Sequence, residues 1–342
     1  MIVKDEEDFL EDCLNSVKEI IDEIIVIDTG SRDNTIKIAK QFTDKVYEHS
    51  WPNSFSEARN ISLKYATGDW VLVLDADEII GKEDLPKIKE LLKNHEIDGY
   101  ICDIKNYTNN ESVLGWVSCE KEDKYRYFFK GYVLSSIVRL FRNIKKYKYE
   151  NKVHELIEDS IIKENGKIRK ANLSIRHYGD NRPEDLKKIK ENLYYELGEI
   201  QINENPEDKR AYYETGRICI RKKEYEKAIK RFQKVEEIAQ NYKNTYYHLG
   251  YAYFYLKKYP ESEFFLKKSI VENPNLISAY NLIGILFQNQ GNFHKSVDFL
   301  NNGLEISRSG LLLQSLGGVY VRVGKFQEAI KILNEALKIN TD

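Results

Sequence analysis

The chain has 342 residues, 42% of them hydrophobic, which is enough to bury sizeable cores and to form two domains. Its 53 Lys and Arg nearly balance 55 Asp and Glu, and a net charge of −2 gives no general pull toward nucleic acid or an acidic membrane surface. No apolar run approaches the ~20 residues that cross a bilayer, and the first residues lack a signal-peptide pattern.

Cys13, Cys102, Cys119 and Cys219 show no CxxC or metal-type spacing, so they read as reduced thiols of a cytoplasmic protein. Met1–Val3 reads as the end of a strand. Phe9, Leu10, Cys13, Leu14, Val17 and Ile20 recur at three- and four-residue spacings and predict a helix over Glu7–Ile21. Glu23–Asp28, EIIVID, predicts a buried strand that ends in Asp28-Thr29-Gly30-Ser31. A helix starting near Asn34 and a short strand at Lys45–His49 follow. This β-α-β-α-β order predicts a parallel sheet with helices on both faces. Asp28, at the end of the second strand, is placed to hold a ribose hydroxyl, and it is equally a turn former before Thr-Gly-Ser.

In WPNSFSEARN, Trp51–Asn60, Ser56 is the expected N-cap of a helix running through Ala66. Arg59 falls on its first turns, either solvated or forked onto a nucleotide's base or phosphates. Trp70–Leu74 is short, apolar and β-branched, the pattern of a central strand. It stops at Asp75-Ala76-Asp77-Glu78, three carboxylates in four residues at a strand's C-terminal end. Such acids repel, and a hard divalent cation completed by waters and substrate phosphates would hold them together; a polar turn is the plainer alternative. A helix at Glu83–Asn94, a strand at Gly99–Asn106, an irregular aromatic stretch at Tyr107–Tyr132 and a strand at Ile137–Asn143 complete this part. His177, after the apolar strand of IRHYGD, could bring a neutral imidazole to the metal, with Asp180 as its supporting acceptor or as a turn former.

Taken in order, MIVKDEE, EIIVIDTGSRDNT, FSEARN, ATGDWVLVLDADE, NKVHE and RHYGD resemble family 2 glycosyltransferases. The resemblance covers about the first 180 residues and points to a branch that carries tetratricopeptide repeats and includes peptide S-glycosyltransferases of bacteriocins. It implies an α/β GT-A fold, Rossmann-like with a mostly parallel sheet. It also implies a nucleotide-sugar donor, usually a UDP-sugar, and inversion at the anomeric carbon. By position, Asp28 resembles the uridine-binding Asp and Arg59 the nucleotide-contacting Arg. Asp75 matches the first Asp of the DxD motif, near the ribose, and Asp77 the second, which holds Mg²⁺ or Mn²⁺ on the diphosphate. Tyr107–Tyr132 falls on the acceptor side, with Trp116 and Tyr125 as contact candidates. Arg139, in RLFR, faces the diphosphate or pairs with nearby acids. Glu155, with His154 beside it, stands where the family keeps the base that takes the acceptor's proton; the pair is equally a polar pair at an element's end. This chain has Asp180 where many relatives have Tyr, Ser54 where DFSxARN has Asp, and a first strand shorter than theirs, as a late start would give.

From Pro183 the period changes. Glu184–Asn203 is one amphipathic helix. Gly216, Gly250 and Gly284 then recur at 34 residues, as do Tyr225, Tyr259 and Phe293, and Ala228, Ser262 and Ser296. This is the tetratricopeptide period, and about four units fit between Pro206 and Asp342. The tyrosines of the first helices (Tyr212, Tyr213, Tyr246, Tyr247, Tyr251, Tyr253, Tyr255, Tyr280) are expected to be packing residues for the most part, the remainder lining a peptide groove. A final face without a polar capping helix points to homo-oligomerisation or a longer natural chain.

The expected organisation is a glycosyltransferase domain at 1–182, a connecting helix at 183–205 and an all-α repeat solenoid at 206–342. The expected function is metal-dependent, inverting hexosyl transfer from a UDP-sugar to a Cys, Ser or Thr side chain of a peptide or protein, with no nucleic-acid partner. A cell-envelope saccharide or lipid-linked glycan is the alternative acceptor. An inactive transferase domain serving as a repeat scaffold is the alternative of another class.

Overall fold

The structure, a computed structural model, describes residues 1–111, 113–119, 123, 128–179 and 182–341. It divides into two compact units, Met1–Leu197 and Gly198–Asp342.

In the first unit, β1 (Ile2–Val3), β2 (Val26–Asp28) and β3 (Val46–Glu48) form a parallel sheet in that order. They are linked by α1 (Leu10–Val17) and α2 (Thr35–Ala39), and α1 buries Leu10, Cys13, Leu14 and Val17 on one stripe. Next come α3 (Phe55–Tyr65), β4 (Trp70–Leu72), β5 (Glu78–Ile80), α4 (Leu85–Leu91), β6 (Gly99–Thr108), β7 (Trp116–Ser118), β8 (Gly131–Arg142), α5 (Glu158–Lys163) and β9 (Ile168–His177). Their strands make a second sheet in the order β4-β8-β6-β9-β5, with β7 beside β8.

This second sheet is mixed, which corrects the expectation of a mostly parallel one. Only β6 and β9 pair in parallel there; β4–β8, β5–β9, β6–β8 and β7–β8 are antiparallel. Parallel neighbours need a long crossover, usually helical, and among the described residues no helix lies between β6 and β8. Within the described part of the stretch expected to be irregular, β6 ends at Thr108, β7 takes Trp116–Ser118 and β8 begins at Gly131, and the other described residues lie outside strands. Tyr100, Cys102 and Ile104 alternate along β6 and meet Leu140, Ile175 and α1's Cys13 and Val17 in one core. Val138, Phe141, Tyr149, Ile157 and Ile161 form a second core with Val73.

Two local expectations change. The helix of FSEARN is capped by Ser54, which accepts from the Glu57 N–H at 3.2 Å, rather than by Ser56. β4 ends at Leu72 rather than Leu74, though the Val73 N–H still donates to the Arg139 carbonyl at 2.8 Å, and the acidic residues sit on a turn that ends where β5 begins.

α6 (Glu184–Glu204) contains the division between the units. The second unit follows as four helix pairs among the described residues: α7 (Lys209–Arg221) with α8 (Tyr225–Ile238), α9 (Thr245–Tyr255) with α10 (Tyr259–Glu272), α11 (Ile277–Asn289) with α12 (Phe293–Ile306), and α13 (Gly310–Arg322) with α14 (Phe326–Thr341). The recurring small residues are contact points. A Cβ on Gly250 would stand 2.7 Å from Leu266 Cγ, and one on Gly284 the same distance from Leu300 Cγ. Ser262 and Ser296 each donate a hydroxyl hydrogen, at 2.8 Å, to the carbonyl of Gly250 and Gly284 respectively. Tyr213, Tyr246, Tyr247 and Tyr280 are buried, Tyr212, Tyr251 and Tyr253 half-buried and Tyr255 exposed; Tyr253 also stacks on Phe265 with centroids 5.5 Å apart, so packing claims most of the named tyrosines. No described helix is long and apolar enough to cross a membrane.

Candidate active site

The turn after β4 gathers the acids against arginines from distant parts of the chain. Asp75 accepts from Arg59 Nη2 at 2.7 Å and from Arg139 Nη2 at 3.0 Å. The same Arg139 nitrogen lies 2.5 Å from Glu78 Oε1. Glu78 Oε2 accepts the Asp75 N–H at 2.9 Å and closes the turn on itself. α3 supplies Arg59 on its buried face, and β8 supplies Arg139 because alternate residues of a strand share a face. Burial opposes ionisation of Asp75, but Arg59 and Arg139 outweigh it and hold the carboxyl well below the usual range. Glu78, equally enclosed, is pushed up by burial, with Arg139 working against that shift. Fixed arginines therefore offset much of the repulsion for which the sequence suggested a cation.

Glu155 joins the same group, since its Oε1 accepts from Arg59 Nε at 2.5 Å. It stands on a loop bent by positive φ at Asn151 and His154, not at a regular element's end. His154 packs edge-on against Tyr194 of α6, with centroids 5.5 Å apart.

Asp77 forms a second centre. Its Oδ2 lies 3.4 Å from His177 Nε2 and accepts from Arg182 Nη2 at 2.8 Å. Arg182 also reaches Glu6 at 2.6 Å. His177 is oriented by Asn106, whose Oδ1 lies 2.8 Å from Nδ1. Burial opposes ionisation of Asp77, yet His177, Lys190 and Arg182 hold it below the carboxylate range. Asp77 and His177 fit a divalent cation as a carboxylate–imidazole pair, with diphosphate and water left to fill the remaining positions. The space for it is kept by Gly179, on which a Cβ would stand 2.7 Å from His177 Nε2 and 3.1 Å from Asp77 Oδ2. Among the described residues no group of three or more His, Cys, Asp or Glu gathers in metal-binding geometry.

Asp28 lies outside this ion-pair group. It is buried at the end of β2, its Oδ1 accepts from the Gly30 and Ser31 N–H groups at 2.9 Å, and its Oδ2 is buried without a partner. Trp116 packs over Gly131, where a Cβ would stand within 2.5 Å of its ring, and donates Nε1–H to the Thr108 carbonyl. That is a structural role in the ribbon. Tyr125 and Asp180 lie outside the described residues. Sequence reasoning missed Arg182, Lys190 and Tyr194. Their signal was weak, a basic residue before Pro183 and two polar positions on a helix read only for its apolar stripe.

The architecture is that of an α/β domain with an acidic cluster beyond a strand end, followed by an array of helix pairs. Residues 1–152 match the family described as Glycosyl transferase family 2. Residues 216–257 match a TPR repeat, and 244–275, 277–309 and 312–342 match the tetratricopeptide repeat. The chain therefore carries a family 2 glycosyltransferase domain joined to tetratricopeptide repeats. It is similar to a TPR repeat-containing protein of Synechococcus elongatus, 36% identical over 188 residues, covering 53% of this chain and 42% of that one. It is also similar to the SPbeta prophage-derived glycosyltransferase SunS of Bacillus subtilis, 31% identical over 221 residues, covering 64% of this chain and 47% of that one. The chain spans less than half the length of these two curated relatives. Among solved structures, MamA is similar over 47% of this chain and 96% of its own, at 20% identity and a TM-score of 0.42.

Proposed function

We propose that this chain is an inverting glycosyltransferase that moves a sugar from a nucleoside diphosphate, with UDP the best fit, to a side chain of a peptide or protein. The observation that carries this reading is the bridge made by Arg59. One guanidinium holds Asp75, in the nucleotide-facing motif, and Glu155, the candidate base, so donor and acceptor functions meet at a single residue. The buried, unpaired Oδ2 of Asp28 supports a hydrogen-bond donor arriving from outside, as the N–H of a uracil ring would.

In this reading Asp28 and Asp75 bind the nucleoside, and Arg59 and Arg139 fix the carboxylates around it. Asp77 and His177 would hold Mg²⁺ or Mn²⁺, which supplies charge neutralisation on the leaving diphosphate. Glu155 takes the proton from the acceptor's thiol or hydroxyl as its sulfur or oxygen forms a bond to the anomeric carbon. The bond from that carbon to the diphosphate oxygen breaks on the opposite face, and its electron pair leaves with the nucleoside diphosphate. A thiol, with an ordinary pKa of about 8.5, asks less of the base than a hydroxyl.

The repeats support a polypeptide acceptor, with Tyr255 and its half-buried neighbours Tyr251 and Tyr253 available as contacts. Exposed Phe326, Ile330 and Leu337 on α14 support self-association. A cytoplasmic location suits the free cysteines. The test is release of nucleoside diphosphate from a panel of nucleotide sugars with Mn²⁺ or EDTA, followed by mass spectrometry of Cys- and Ser-containing peptides. Transfer to a glycan acceptor alone would overturn the polypeptide assignment. Absence of nucleotide binding by folded protein would leave only a scaffold.

A further inference from the structure

The arginines beside the acidic turn are each paired with two carboxylates, although Arg59 Nη1 and Arg139 Nε are buried without a hydrogen-bond partner. Arg59 holds Asp75 and Glu155, Arg139 holds Asp75 and Glu78, and Arg182 holds Asp77 and Glu6. Withdrawing any of them to meet a ligand would leave a carboxylate buried and unpaired, which is expensive. A nucleoside diphosphate adds further negative charge to this region and calls for a cation that is not already committed.

Lys190 is such a cation. It lies on the part of α6 that belongs to the first unit. Tyr194, one turn further along and on the same helix face, packs edge-on against Phe55 at 5.4 Å and against His154 at 5.5 Å. This face of α6 therefore covers the start of α3 and the loop that carries Glu155. Lys190 Nζ sits 5.7 Å from the centre of the Tyr194 ring, within electrostatic reach of Asp77 and Asp75. Among the described residues no carboxylate forms an ion pair with it; its side chain reaches solvent while its ammonium hydrogen-bonds the Tyr194 hydroxyl. A long flexible stem ending in three donors suits a phosphate, which accepts a point charge from many directions.

We propose that Lys190 binds the diphosphate of the sugar donor, in a subsite that α6 adds to the family 2 domain from beyond its matched residues. The proposal rests on the donor-site reading given above. It extends the site past residue 152, where the family match ends, into the helix that leads to the repeats.

The test uses the full chain with Mn²⁺, titrated calorimetrically with UDP and with uridine, in wild type, Lys190→Met and Lys190→Arg. Lys190→Met is expected to weaken UDP binding about tenfold, the loss of one charge-assisted hydrogen bond, and to leave uridine binding unchanged. Lys190→Arg keeps most of the UDP affinity, and both variants melt at the wild-type temperature. Unchanged UDP binding in Lys190→Met overturns the assignment of Lys190 alone. An equal loss for UDP and uridine also overturns it, since that marks a structural role. A folded wild type that binds neither UDP, GDP nor ADP brings down the donor-site reading and this proposal together.

Discussion

Glu155 is held by Arg59, whose Nε donates to it at 2.5 Å while Nη2 of the same side chain is committed to Asp75. The base candidate is therefore fixed in place before any acceptor arrives, and it is tied to the motif proposed to face the nucleotide. Glu155→Gln keeps an acceptor oxygen for Arg59 but cannot take a proton. Transfer is expected to fall by roughly 10²–10⁴-fold, with donor affinity and melting temperature close to wild type. Full transfer by a folded Glu155→Gln protein would remove Glu155 from the mechanism.

Asp77 answers to two cations, the fixed Arg182 at 2.8 Å and the proposed divalent ion. Asp77→Asn is expected to abolish the difference between UDP affinities measured with Mn²⁺ and with EDTA. Arg182→Met should act the other way on the metal, because it removes a competitor for the same carboxylate oxygen. Its Mn²⁺ affinity, read by electron paramagnetic resonance of the free ion, is expected to rise, while stability falls by ~1–3 kcal/mol as Glu6 and Asp77 lose their partner. If Arg182→Met weakens Mn²⁺ binding, Arg182 supports the metal site instead of competing with it.

Glycine positions in the repeats separate contact from mere helix position. An added Cβ on Gly250 would press on Leu266 Cγ at 2.7 Å and on its backbone nitrogen at 3.2 Å, whereas on Gly318 it would meet only Gln288 Nε2 at 3.6 Å. Overpacking of the first kind costs ~1–3 kcal/mol. Gly→Ala within a helix otherwise gains ~1 kcal/mol. Gly250→Ala is therefore expected to lower the urea midpoint of the helical signal and Gly318→Ala to raise it. The same direction for both would show that the Gly250–Leu266 contact relaxes freely.

The periodic parts of the chain were readable because one physical constraint repeats along it. Gly250, Gly284, Ser262 and Ser296 each mark a place where two helices of a pair touch, so the 34-residue period was visible without any structure. The first three parallel strands were legible for a similar reason, as short apolar runs between amphipathic helices. The second sheet was not, since whether β6 meets β8 or β9, and in which direction, depends on contacts between residues far apart in sequence. At the site, Asp75, Asp77, Glu155 and His177 could be named singly. That Arg59 joins two of them, and that Arg182 and the face of α6 close over the rest, are facts of three-dimensional approach between residues up to 176 positions apart.

His248 should make the repeat unit sensitive to acid. Its ring stacks on Phe232 with centroids 5.0 Å apart, and Nε2 lies 3.2 Å from the Tyr213 hydroxyl oxygen. Burial, followed by repulsion from Arg217, pushes its pKa down to about 3; Arg221 and Lys243 add to this and Glu214 opposes it. The unfolded chain's imidazole takes up its proton near pH 6.5. Between about pH 6.5 and 3 the unfolded state therefore binds more protons, so stability rises with pH across that window and is lost on acidification. From pH 7 to 5 this one group is expected to remove about 2 kcal/mol. His248→Gln keeps a polar tip near Tyr213 and cannot titrate, so its urea midpoint should fall less over the same interval. Comparing the two proteins cancels the contributions of every other group. Parallel curves for wild type and variant would mean that the folded repeat accommodates a protonated His248.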